Sequence, residues 1–187
     1  MTQHHSILVV GGGSGGLSVA ARLRNLPSPP EVAVLEPSEK HYYQPLWTLV
    51  GGGVFDKETT VRQEKDFIPD GATWIKDSVA GFDPGNNTVT TKGGEKITYD
   101  QLVVALGIQL DWGKIKGLDG HLGKDGICSN YTYETVDSTW RTLKDFKETS
   151  RISVTSLKVS NQAIYLQMAL DKEFGVATNF DTMMVIV

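Results

Sequence analysis

Six consecutive residues, Gly11-Gly12-Gly13-Ser14-Gly15-Gly16, follow directly on the apolar run Ser6-Ile7-Leu8-Val9-Val10, and no other feature constrains the fold as much. The run is rich in β-branched residues and does not alternate, as in a strand covered on both faces of a parallel sheet. Beyond the glycines, Leu17, Ala20, Ala21 and Leu23 recur at helical spacing until the Pro27-Ser28-Pro29-Pro30 cluster forbids more helix. Val32 to Leu35 read as a second buried strand. Together these segments predict a βαβ unit of about 30 residues.

The glycine run satisfies G-x-G-x-x-G between a strand and a helix, the context in which that pattern binds dinucleotides. Gly11 permits the tight turn, Gly13 lets the backbone approach a pyrophosphate, and Gly16 allows close packing of helix on strand. The helix N-terminus offers unpaired N–H groups and partial positive charge to phosphate. Glu36 lies 20 residues after Gly16, at the carboxyl end of the second strand. A carboxylate there accepts hydrogen bonds from ribose hydroxyls and repels a 2'-phosphate, which disfavours NADP and leaves FAD or NAD. The competing reading is a glycine-rich turn with no ligand and a solvated glutamate.

Residues 40 to 70 lose periodicity and read as a connection with short helical pieces near Thr48 and over Val61 to Phe67. Short strands follow at Thr73 to Lys76, Val79 to Phe82, Thr88 to Thr91 and Lys96 to Tyr99, with turns at residues 83–87 and 93–94, and predict a small antiparallel meander. Gln101 to Ala105 is again a continuous apolar strand, closed by Gly107. An antiparallel insert before the next parallel strand is the order found, by fold analogy, in the FAD domain of two-dinucleotide-binding flavoproteins, and it favours FAD over NAD.

After a glycine-rich loop over 113–126, the spacing of Val136, Trp140, Leu143 and Phe146 predicts a helix from about Tyr133 to Lys147, capped by Thr135 or Asp137. A strand at Ile152 to Thr155, a helix at Ala163 to Glu173 and a strand at Met183 to Val187 read as the opening of a second βαβ unit, unfinished where the chain ends. The expected organisation is an α/β chain. A Rossmann-like FAD-binding domain over 1–110 has a parallel sheet and an antiparallel β-meander insert, and an incomplete second dinucleotide-binding-like domain occupies 111–187.

A net charge of -4 and the lack of any Lys/Arg run leave no electrostatic footprint for nucleic acid. No apolar run approaches the 18 or so residues of a membrane span, so membrane contact is expected to be peripheral. No Lys or Arg precedes Arg22, so the first residues lack the character of an Arg-rich transit peptide. His4 and His5 read as a frayed terminus, His41 as a packing or surface residue, and His121 as a loop residue; no metal-ligand spacing joins them.

The segment His41-Tyr42-Tyr43-Gln44-Pro45-Leu46-Trp47-Thr48-Leu49-Val50-Gly51 resembles the mitochondrial type of sulfide:quinone oxidoreductase. So do Val34-Leu35-Glu36-Pro37-Ser38, Trp74-Ile75-Lys76, Ala105 to Leu110, and Ser129-Asn130-Tyr131 with Thr139-Trp140, while Tyr99 to Gly107 resembles the Tyr-Asp-x-Leu-Val-x-Ala-x-Gly signature of the wider two-dinucleotide-binding flavoproteins. The resemblance runs from residue 6 to about 150. It implies FAD as cofactor, with Ser14 and Gly15 at the diphosphate, Glu36 at the adenosine ribose and the Val79 backbone at the adenine. It places Gln44 and Pro45 near the flavin, and Ala105 and Gly107 against the cofactor. It also implies sulfide and ubiquinone as substrates, at the mitochondrial inner membrane.

Sulfide oxidation in that family runs through a cysteine pair, because a thiolate must attack and leave. Here Ser156 to Leu166 stands where relatives carry Pro-Val-Lys-Cys-Ala-Gly-Ala-Pro, and the second cysteine, the second FAD segment, the quinone pocket and the membrane-docking helices of relatives correspond to positions past Val187. Cys128 is the only thiol and the only catalytic candidate. It stands in an Ile-Cys context resembling an accessory cysteine of bacterial relatives, with a structural cysteine as the other reading. Two alternatives stay open: a flavoprotein resembling type II NADH:quinone dehydrogenase, and a non-catalytic remnant that binds a nucleotide or a partner.

Overall fold

The structure is a computed structural model, and it describes residues 3–145, 152–154 and 184–186. Along the chain the strands and helices are β1 (Gln3–Val10), α1 (Ser14–Arg24), β2 (Val32–Leu35), β3 (Lys40–Tyr42), α2 (Trp47–Gly51), β4 (Val61–Gln63), β5 (Thr73–Ile75), β6 (Val79–Asp83), β7 (Thr88–Thr91), β8 (Lys96–Val104), α3 (Val136–Lys144), β9 (Ile152–Val154) and β10 (Met184–Ile186). They fall into two compact units, one of residues 1–42 and 61–109 and one of residues 43–60 and 110–187.

The first unit is built on a six-stranded sheet of order β5-β2-β1-β8-β7-β6. β5, β2, β1 and β8 run parallel, and β7 and β6 continue the sheet antiparallel. The unbroken apolar runs of β1 and β2 have the cause expected of them: alternate residues enter cores on opposite faces. Leu8, Val10, Ala33 and Leu35 pack with Val89, Ile97 and Tyr99 on one face. Val9, Val32 and Val34 pack with Ala20 of α1 on the other, flanked by Ile7, Leu23 and Val103. Each valine, leucine or isoleucine so removed from water contributes about 1.5–3 kcal/mol, and together these residues hold the helix to the sheet. α1 ends with Arg22 and Arg24 in its last turn, where cations complement the helix dipole. Arg24 also donates to the carbonyls of Pro30 and Asp70.

Three local readings change. Thr73–Ile75 is not part of the meander; it extends the parallel sheet beside β2, in register Ala33 with Thr73 and Leu35 with Ile75. Lys96–Tyr99 and Gln101–Ala105 are one strand, β8, which pairs antiparallel with β7 through residues 96–98 and parallel with β1 along most of its length. The helical piece expected over Val61 to Phe67 is β4 followed by a single 3-10 turn at Glu64–Asp66, and β4 pairs with β3 in a two-stranded ribbon.

In the second unit α2 packs with α3. Gly51 leaves room for the Asn130 amide, and Gly53 for the Trp140 ring. Asn130 in turn accepts a hydrogen bond from Thr139 at 2.7 Å. Trp47 is buried, donates from Nε1 to Thr60 and lies near the Tyr133 ring. α3 is shorter than expected. Thr135 precedes it without a side-chain cap on the helix, its hydroxyl pairing instead with Thr132 and the Ser129 carbonyl. β9 and β10 pair parallel, in register Ile152 with Met184. Phe146, the helix expected over 163–173 and the Ser156–Leu166 segment lie outside the described residues.

Candidate nucleotide-binding site

The glycine turn is locked from two sides. Gly11 adopts φ +107°, a conformation that excludes ordinary side chains. Its N–H donates to the Leu35 carbonyl at 2.9 Å, and a β-carbon on it would run into the Ala105 carbonyl. Ala105 in turn donates to the Val10 carbonyl at 2.8 Å. The ends of β1, β2 and β8 therefore meet at Gly11, and the chain leaves the sheet there for α1.

The other side of the turn is open. Gly13 precedes α1 with no side-chain cap, and the first turn holds no acid. Gly13, Ser14 and Gly15 are exposed, while Gly11, Gly12 and Gly16 are buried. β-Carbons built on Gly13 and Gly15 would meet no atom within 4 Å. An 11-residue helix thus presents its unpaired N–H groups and the positive end of its dipole to free space. That geometry fits a pyrophosphate.

Glu36 turns back over this loop. One carboxylate oxygen accepts the Gly12 N–H at 2.7 Å, and the other accepts the Ser38 N–H at the same distance. Its backbone is held as well, the N–H donating to the Ile75 carbonyl and the carbonyl accepting from the Trp74 indole. The carboxylate is half-buried and fixed beside the loop, where it can accept from sugar hydroxyls on its remaining lone pairs.

Two residues that the sequence reading passed over complete the wall. Gly12 occupies a variable position of the motif, yet a β-carbon there would lie 2.5 Å from Glu64 Oε1 and 2.6 Å from Glu36 Cγ. Glu64 is 1% exposed. His41 Nδ1 lies 3.2 Å from Glu64 Oε2, and Glu64 Oε1 is buried with no hydrogen-bond partner. Burial, the dominant influence, pushes the Glu64 carboxyl above the ordinary glutamate range, with His41 opposing and Glu36 reinforcing the rise. His41 is itself buried, 4.8 Å from the Phe67 ring, in keeping with a packing role.

Among the other expected site residues, Val79 opens β6 half-buried, at an irregular step in the pairing with β7. Ala105 and Gly107 follow β8, Gly107 at φ +71°. Gln44 and Pro45 form an exposed 3-10 turn in the second unit. Cys128 is a free, half-buried thiol in that unit. His4 and His5 are not frayed: both belong to β1, His4 bonding Thr98 and His5 bonding Glu31. Among the described residues no cluster of three His, Cys, Asp or Glu side chains could hold a metal ion, and no helix is long and apolar enough to cross a membrane.

A parallel sheet with an antiparallel extension, a glycine turn opening a helix and an acid at the end of the second strand define a dinucleotide-binding α/β protein. The family description "Pyridine nucleotide-disulphide oxidoreductase" fits residues 5–155, and the chain belongs to that family. A mitochondrial sulfide:quinone oxidoreductase of Dictyostelium discoideum is 53% identical over 142 residues, 75% of this chain and 31% of that protein. Its counterpart in Mus musculus is 46% identical over 145 residues, 78% of this chain and 32% of that protein. The chain thus spans about a third of the length of these relatives. Among solved structures, the sulfide:quinone oxidoreductase of Aquifex aeolicus is similar in fold, with a TM-score of 0.68 at 22% identity over 98% of this chain and 42% of that one. The family and its sulfide:quinone oxidoreductases are FAD-binding flavoproteins.

Proposed function

We propose that this chain carries the FAD-holding part of a sulfide:quinone oxidoreductase. The observation that carries the reading is the Glu36 carboxylate, fixed over an open glycine turn by the Gly12 N–H at 2.7 Å. The 53% identity to a mitochondrial sulfide:quinone oxidoreductase supports the choice of enzyme. In this reading the N–H groups at Gly13, Ser14, Gly15 and Gly16 face the diphosphate, Gly11 sets the turn, and Glu36 accepts from the adenosine ribose. The Val79 backbone meets the adenine, Ala105 and Gly107 close against the cofactor, and Gln44 with Pro45 belongs to the flavin neighbourhood. The domain assignment follows: residues 1–110 form the first segment of the FAD domain and residues 111–187 begin a second dinucleotide-binding-like domain.

FAD, when bound, supplies the two-electron acceptor. The protein's part is to hold the adenylate and keep a 2'-phosphate out. Sulfide as donor, ubiquinone as acceptor and attachment to the mitochondrial inner membrane come from the resemblance to the relatives. The single thiol favours a second reading, a non-catalytic nucleotide- or partner-binding chain, because a disulfide cannot form within it.

Purification with added FAD separates the two. A yellow protein with flavin absorbance that survives gel filtration supports the cofactor reading, and a colourless one overturns it. Addition of sulfide and decylubiquinone to these 187 residues is expected to give little or no quinone reduction; robust turnover would assign the chemistry to Cys128 and overturn the second reading.

A further inference from the structure

Glu64 lies at the centre of the polar run Arg62-Gln63-Glu64-Lys65-Asp66, a composition usual for solvated residues. The fold instead buries it to 1% exposure, beside the carboxylate assigned to the ribose. Glu64 Oε1 and Glu36 Cγ both lie within 2.6 Å of the point that a Gly12 β-carbon would occupy. The two acids therefore share the space a side chain would otherwise fill.

Two carboxylates this close do not both ionise easily. The Glu36 carboxylate accepts two N–H groups, from Gly12 and Ser38. The Glu64 carboxyl pairs with His41 Nδ1, 3.2 Å from Oε2, and its Oε1 is buried with no hydrogen-bond partner. An ionised carboxylate so placed would hold charge away from water with one oxygen unpaired. Among the described residues nothing in reach of Oε1 donates a hydrogen to it, and burial therefore favours the protonated acid over the carboxylate at this position.

We propose that Glu64 is a positioning residue of the adenosine site: uncharged behind Gly12, it keeps Glu36 as the single anion offered to the ribose and braces it toward the loop. This deepens the FAD reading and rests on it. The titratable groups facing Glu64 are His41 from β3 and Glu36 from the end of β2. Loss of the Glu64 proton would place a second negative charge beside Glu36, where repulsion displaces the ribose acceptor.

The test titrates the full chain with FAD and with ADP-ribose, whose pyrophosphate keeps its charge between about pH 6 and pH 9. Wild type is expected to lose affinity at least about threefold as pH rises through the Glu64 ionisation, whereas Glu64→Gln, which keeps the shape without the proton, binds with a flat profile. In His41→Asn the loss moves to higher pH, because His41 opposes the rise of the Glu64 carboxyl. A ligand-free arm follows thermal unfolding. A raised acid stabilises fully below its unfolded value of about 4.3 and loses that contribution as pH rises through its folded value, so wild type should lose stability relative to Glu64→Gln over that interval.

If wild type binds and Glu64→Gln keeps the same alkaline loss, or if His41→Asn abolishes it, the role assigned to Glu64 is wrong. If wild type binds neither probe, the FAD reading itself falls and takes the positioning role with it.

Discussion

The α-carbon of Gly16 sits against the carbonyl oxygen of Gly11, in contact so close that no β-carbon fits between them. This contact seats the first turn of α1 on the end of β1, and it fixes the direction in which the helix N-terminus points. Gly16→Ala must push the helix or the turn away. The expected result is a loss of about 1–3 kcal/mol in urea unfolding, as for other overpacked sites, together with weaker FAD binding measured by flavin fluorescence. Unchanged stability and affinity would mean that the turn yields without consequence.

Glu36 should discriminate at the ribose. ADP-ribose is expected to bind at least about tenfold more tightly than its 2'-phosphorylated analogue, because the phosphate would meet a fixed carboxylate at short range. Glu36→Gln should narrow that preference more than it weakens ADP-ribose itself. Calorimetric titration of the two ligands on both chains measures the gap.

On the acid side, Asp77 links the start of β6 to the turn after β7. Its carboxylate accepts the N–H groups of Ser78 at 2.7 Å and Gly93 at 2.9 Å. The Thr91 hydroxyl, the largest influence, and these two amides hold the acid below the ordinary aspartate range. A depressed acid gives its stability above the unfolded value, near pH 3.9, and loses it as pH falls through the lower folded value. Thermal midpoints should therefore drop less steeply below about pH 4 in Asp77→Asn than in wild type. Parallel curves would deny Asp77 a part in acid sensitivity.

In the second unit, Thr60 joins the indole of Trp47 at 3.1 Å to the carbonyl of Lys57 at 2.7 Å. Thr60→Val keeps the volume and removes both bonds from a site only 2% exposed. A loss of about 1–3 kcal/mol is expected in denaturant unfolding. A fluorescence shift of Trp47 should accompany it.

Much of the first unit was legible because its signals are local. Ile7 to Val10 and Val32 to Leu35 are apolar without alternation and rich in β-branched residues, and with glycine or proline beside them they read as strands covered on both faces. Gly11 to Gly16 and Glu36 carry their spacing within one βαβ unit. What escaped depends on partners far along the chain. Lys40–Tyr42 and Val61–Gln63 are three-residue, largely polar strands that exist only by pairing with each other. Thr73–Ile75 has no local feature that distinguishes the parallel edge of β2 from a meander strand.

Polar burial was the other blind spot. His5 and Glu64 have the composition of surface residues, and only the folded chain brings Glu31 to the first and His41 to the second. Gly12 occupies a variable position of its motif, and the two side chains that forbid a β-carbon there, Glu36 and Glu64, lie 24 and 52 positions away. The place proposed for Gln44 and Pro45 rests on resemblance, since nothing in their immediate neighbours in the sequence identifies a ligand.

One uninterrupted strand, β8, serves as both the outer hairpin's partner and the rail along which β1 runs to the glycine turn. Fraying that starts at Thr88–Thr90 is thereby coupled along a single backbone to Ala105, whose carbonyl abuts Gly11. The distal hairpin is mechanically in series with the glycine turn, so loosening one should be felt as amide exchange at the other.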